Sequence, residues 1–187
     1  MAGAPNRRTA RPKPQDIATR SGKHGLGGAH APRMMNASLL AITACGGFLL
    51  AVLWMDLIFD VQVLRHRNVS EPLPEPVLAS IAAYYRRATT DSAPMSRLIA
   101  AVMGVGVLAC GVQLFRGEAP LPLRLAAFAV LFSLVALAAV RIVPDAVRLG
   151  GRSDPVEVQS ALARGICRSH LVCFVGMAAF VALQIWA

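Results

Sequence analysis

The sequence predicts an all-α fold: a four-span transmembrane helical bundle with a short interfacial amphipathic helix between spans one and two and a disordered basic N-terminal tail. Three observations carry that expectation. Of 187 residues, 56% are hydrophobic and only 16% charged, against roughly 25% charged in an ordinary soluble domain. Four apolar stretches, at about 37–62, 95–115, 121–143 and 164–186, are each long enough to cross a hydrocarbon layer of about 30 Å at about 1.5 Å per residue. The runs are continuous and carry no period of two, which excludes the alternation of a transmembrane β-barrel.

The tail, residues 1–35, precedes a helical domain over 36–187. Arg7, Arg8, Arg11, Lys13, Arg20, Lys23 and Arg33 stand against the single acid Asp16, and Pro5, Pro12, Pro14 and Pro32 interrupt the segment. Such a composition cannot bury enough apolar surface to fold, so disorder is expected. An Arg-rich, acid-poor N-terminus also fits an organelle transit peptide, but the prolines break a continuous amphipathic helix and serines are few. The first apolar run is of span length rather than signal-peptide length, so span one is expected to act as an uncleaved insertion signal. The basic segments are expected to meet anionic lipid headgroups at about 1 kcal/mol per cation near the surface.

Span one carries Gly46 and Gly47, which permit close approach of a neighbouring helix, and it closes on Trp54 to Asp60. Trp54 and Trp186 fit an aromatic belt. Pro72, Pro74 and Pro76 then break the chain, and Pro76 suits the first turn of a helix over about 76–90. Its apolar face is Val77, Ile81, Tyr84 and Ala88, with Leu78, Ala82 and Tyr85 beside them. Tyr84 and Tyr85 are expected at headgroup level, with Arg86 and Arg87 facing phosphate.

Span two starts after Ser92, Ala93 and Pro94 and contains Gly104, Gly106 and Gly111. The short turn from Arg116 to Pro120 makes spans two and three an antiparallel hairpin. Span three is expected to end near Arg141 to Pro144, with Gly150 and Gly151 marking the next turn. Asp154, Pro155 and Glu157 read as N-cap, first and third positions of a last helix of about 33 residues, ~50 Å long.

An up-down-up-down order places the end of span one, the start of span two, the end of span three and the start of span four at one membrane face. Asp56, Asp60, Arg65, His66, Arg97, Arg141, Asp145, Arg164, Arg168 and His170 should gather there, with Tyr84 to Arg87. Both termini then lie on one side. That face carries ten Lys and Arg against nine for the tail and second loop together, which by itself favours the opposite orientation. The difficulty of translocating a tail with seven cations favours cytoplasmic termini, the orientation expected here.

Asp56 and Asp60 are four residues apart and share a helix face. A carboxylate inside a bilayer costs roughly 2.5 to 3.5 kcal/mol, so such residues have partners or functions. Asp56 is expected to pair with Arg97 or Arg141 as a lock on the bundle; with His170 and Asp60 they form the candidate polar cluster. Cys167, His170 and His66 are weak metal candidates, because offsets of three turn only about 60° from one face. Cys45, Cys110, Cys167 and Cys173 lie in or beside spans and fit small apolar residues. No cofactor is expected.

Phosphate-loop, His-Glu-x-x-His and Gly-x-Ser-x-Gly motifs are missing. The basic tail lacks the interleaved aromatics of a nucleic-acid binder. The leading expectation is an interaction or accessory subunit, partnered by the bilayer, another membrane protein or a second copy. The alternatives are a solute, ion or proton transporter using Asp56 with Arg97, Arg141 and His170, and a membrane oxidoreductase or metal enzyme using His66 and His170.

Overall fold

The computed structural model describes Gly3 and residues 37–186, with the side chains of 37–184; the expectations about the basic tail and about Trp186 lie outside these. Every regular element among them is helical. Four helices are long and apolar enough to cross a membrane: Ala37–Arg65, Ala93–Arg116, Leu121–Gly151 and Val156–Gln184.

Helix α1 (Ala37–Asp60) tightens into a 3₁₀ turn over Val61–Arg65. After a proline-led loop, α2 (Glu75–Tyr85) begins with Pro76 in its first turn and widens into a π-helical turn over Arg86–Asp91. Helix α3 (Ala93–Arg116) follows Ser92, with Pro94 near its start. Helices α4 (Leu121–Leu137) and α5 (Val143–Gly151) are halves of one helix joined by a π-helical turn over Ala138–Ile142. Helix α6 (Val156–Trp186) is the last described element.

Packing follows chain order around a ring. Helix α1 lies against α3 and α6, and α4 lies against the same two neighbours. Lipid tails are as apolar as leucine, so tight van der Waals fit has to hold such helices together. Small residues supply it: Gly46 lets α1 approach Phe180 and Val181, Gly106 and Gly111 bring α3 to Leu131 and Phe128, and Gly176 receives Leu134. Gly47 meets nothing within 4 Å, so only one of the glycine pair makes a contact.

The second core lies at the loop end of the bundle. Leu78, Ile81, Ala82 and Tyr85 of α2 pack with Ala146 and Leu149 of α5 and Ile166 of α6. The preceding loop is tied down by Arg164, which donates to the carbonyls of Asn68 and Glu71 at 2.9 Å. Ser160 Oγ accepts the Leu73 N–H at 2.9 Å.

Three local expectations are corrected. Pro144 does not interrupt the third helix, because the π-helical turn immediately before it opens the backbone where the ring would strike the carbonyl four residues back. Gly150 and Gly151 remain helical, and Arg152 takes the left-handed conformation at φ 55°. Asp154 does not cap α6 through its side chain; both its oxygens accept from Arg148, at 2.7 and 2.8 Å.

Gly150 is reserved for contact rather than for turning. A Cβ there would stand 2.9 Å from the backbone nitrogen of Arg86, whereas one at Gly151 would meet nothing within 4 Å. Gly150→Ala should therefore lower stability by about 1–3 kcal/mol, the cost of overpacking. Gly151→Ala should be neutral or stabilising within about 1 kcal/mol. Thermal unfolding of the two variants in detergent checks the contrast.

Candidate functional site

Asp60 lies near the end of the first span with no exposed surface. A carboxylate removed from bulk water is stable only when its oxygens receive hydrogen bonds, so donors near Asp60 matter. Tyr85 Oη donates to Asp60 Oδ1 at 2.6 Å, and His170 Nδ1 lies 2.7 Å from Oδ2. Tyr85 and His170 are 3% and 4% exposed. The last turn of α2, the end of α1 and the loop-end half of α6 thus meet at one carboxylate.

Asp56, one turn earlier on the same face, receives a second phenol. Tyr84 Oη donates to Asp56 Oδ1 at 2.6 Å. The Tyr84 ring is held for this by stacking on Phe59, with centroids 4.2 Å apart and 12° between planes. Asp56 Oδ2 lies 3.7 Å from His170 Nε2, close enough for electrostatic attraction but too long for a hydrogen bond. The imidazole therefore stands between two carboxylates, bonded to one and facing the other.

The predicted partners of Asp56 are corrected. Arg97 and Arg141 are exposed and make no ion pair with it. A guanidinium carries a permanent charge that is expensive to bury, whereas a phenol donates a hydrogen bond as a neutral group. The headgroup placement of the tyrosines is corrected for the same reason: Tyr85 is buried, Tyr84 is half-buried, and both point to carboxylates. Arg86 and Arg87 are exposed, and Arg86 pairs with Asp91 at 3.4 Å. Adjacent tyrosines opposite two acids that lacked interior donors were the signal available in the sequence.

The weak metal candidates do not converge. His66 ends the 3₁₀ turn, Cys167 is buried on α6, and among the described residues no three His, Cys, Asp or Glu side chains form a metal-binding group.

Beside the cluster, the helices enclose an apolar cavity of about 680 Å³. Helices α3 and α4 touch at Gly106, Gly111, Leu131 and Phe128 towards their connecting turn and stand apart around the cavity at the other end. Asp56, Tyr84 and His170 form its polar wall. Met95, Val143 and Val147, each about half exposed at 46%, 46% and 45%, rim a lateral mouth between the start of α3 and α5.

Such features define a multi-pass helical membrane protein, built around a buried carboxylate, phenol and imidazole cluster that borders a laterally open apolar cavity. Residues 34–184 match the SHR3 chaperone family, described as ER membrane protein SH3, and the chain belongs to that family. It is an integral membrane protein of an accessory, chaperone-like class. No curated protein and no solved structure matches it.

Tyr85→Phe leaves Asp60 Oδ1 without its donor and should cost about 1–3 kcal/mol of stability, with a smaller loss for Tyr84→Phe at the less buried site; thermal unfolding in detergent measures both. Burial first, and then the adjoining carboxylates, push both phenols well above the ordinary tyrosine range. The folded chain therefore keeps its phenolic protons where an unfolded tyrosine loses them, near pH ~10. This contribution is complete below pH ~10 and is lost as pH rises beyond it. The thermal midpoint should fall above that pH, and less steeply in the Tyr84→Phe, Tyr85→Phe double variant.

Proposed function

We propose that the chain is a chaperone of the endoplasmic reticulum membrane that shelters hydrophobic segments of other multi-pass membrane proteins before they assemble, with both of its own termini cytoplasmic. The family description supplies the setting, and the lateral cavity with its polar wall is the observation that carries the reading. An unassembled transmembrane helix exposes small and polar positions that its finished protein will cover. In lipid those positions lack partners.

The mouth between α3 and α5 offers such a helix two things. Its half-exposed rim residues, Met95, Val143 and Val147, give an apolar contact surface, and methionine adapts its shape to varied partners. Behind the rim, Asp56 Oδ2 has, among the described residues, only the 3.7 Å approach of His170, and it retains capacity to accept a hydrogen bond from a client side chain. A shallow polar wall of this kind suits transient binding of many sequences, because the client loses little when it leaves for its native neighbours.

Photo-crosslinking in ER-derived microsomes tests the assignment. A reactive group placed at Ile99, which lines the cavity, should capture a newly made multi-pass membrane protein. The same group at Leu108, 72% exposed on the same helix and away from the cavity, should not. Asp56→Asn should lower capture from Ile99 several-fold. Equal yields from the two positions, or none from either, would remove the cavity from client binding.

A further inference from the structure

The cavity holds about 680 Å³ and is open at one side. That volume falls within the range of about 300–1,000 Å³ typical of sites for small molecules. The deep walls, formed by Phe48, Val52, Met103, Val135 and Met177, are apolar.

Polar character is concentrated at the loop end. Arg87, Thr89, Ser92 and Ser96 line the cavity there. Among the loop-end arginines, Arg86 pairs with Asp91, Arg148 with Asp154 and Arg152 with Glu75. Arg87, among the described residues, has neither an ion-pair nor a hydrogen-bond partner, yet it is the one of these four that lines the cavity. Helix α3 begins at Ala93 beside these groups, and the positive end of its dipole adds to the attraction for an anion.

We propose that the cavity is a binding site for one glycerophospholipid of the surrounding bilayer, with an acyl chain along the Phe48, Val52 and Val135 wall and the phosphate on Arg87, Ser92 and Ser96. The polarity of the two ends fixes the orientation. Asp56, already engaged by Tyr84 Oη, offers only acceptor oxygens to an incoming head, and a phosphate is itself an acceptor. The head therefore remains at the mouth, where the guanidinium supplies charge-assisted hydrogen bonds. Lipid binding does not depend on the chaperone reading, which is tested separately by client capture at Ile99.

The test uses the full chain, purified in a mild detergent and observed by native mass spectrometry. Delipidated protein is then exposed to mixed micelles containing either phosphatidylinositol or diacylglycerol. Wild-type protein should retain one phospholipid per chain and should not retain diacylglycerol. Arg87→Gln, at an exposed position that leaves the buried cluster intact, should weaken retention about tenfold, the scale of one charge-assisted hydrogen bond. Arg86→Gln, which alters a cation paired outside the cavity, should leave retention unchanged. Val135→Trp, filling the deep wall, should abolish it with helical content preserved by circular dichroism.

The proposal is overturned by a wild-type chain that retains no phospholipid, by equal retention of diacylglycerol, or by an Arg87→Gln chain that binds like wild type.

Discussion

The Asp60 carboxylate, wholly buried near the end of a membrane span, is the constraint on which the rest of the molecule is arranged. A carboxylate in such a place is tolerated only when its oxygens receive hydrogen bonds. The two donors come from α2 and α6, so satisfying one residue of α1 fixes three helices. Tyr84 repeats the arrangement one turn away at Asp56 and stacks on Phe59, which ties α2 to α1 a second time. A short helix between two spans would otherwise have little reason to leave the membrane surface. Here its hydroxyl groups draw it into the end of the bundle.

Accommodating α2 spreads the spans that surround it. At the opposite end, glycines at 46, 106 and 111 bring the helices together. At the loop end, α2 and its π-helical turn lie against α5, and Gly150 allows the backbone of Arg86 to come close. The bundle is consequently narrow at one end and wide at the other, and the lateral cavity lies in the wide part. Both π-helical turns contribute residues to its wall: Thr89 from the first, Ala138 and Ile142 from the second. Irregular turns of this kind recur where a helix is shaped for function rather than for regularity.

The same construction separates rigid from adaptable surfaces. Asp60, Tyr85 and His170 are buried and bonded, and Tyr84 is held by stacking on Phe59, whereas the rim of the mouth is made of half-exposed aliphatic and methionine side chains. An accessory, chaperone-like membrane protein is served by both properties: a framework that does not itself come apart in lipid, and an adaptable surface beside it. The cations of the loop end follow the same division. Arg148, Arg152 and Arg164 fasten loops and helix ends, while Arg87 lines the cavity with no ion-pair or hydrogen-bond partner among the described residues.

Much of this architecture was legible in the chain. Four apolar runs of span length, the short turn before Pro120 and the proline-led start of α2 determined the helices, because length and local hydrogen bonding decide those features in lipid. The shared face of Asp56 and Asp60, and their proximity to His170 at one membrane end, followed from helical period and alternating direction. Only the tertiary structure decided which donors the acids would take. Arg97 and Arg141 were the stronger charges at the same end, yet Tyr84, Tyr85 and His170 reach the carboxylates, because burial penalises a permanent charge more than a neutral donor. The cavity was equally invisible, since it arises from the divergence of helices that each look ordinary. Sequence periodicity fixes the faces of single helices; the space left between them depends on how all of them pack.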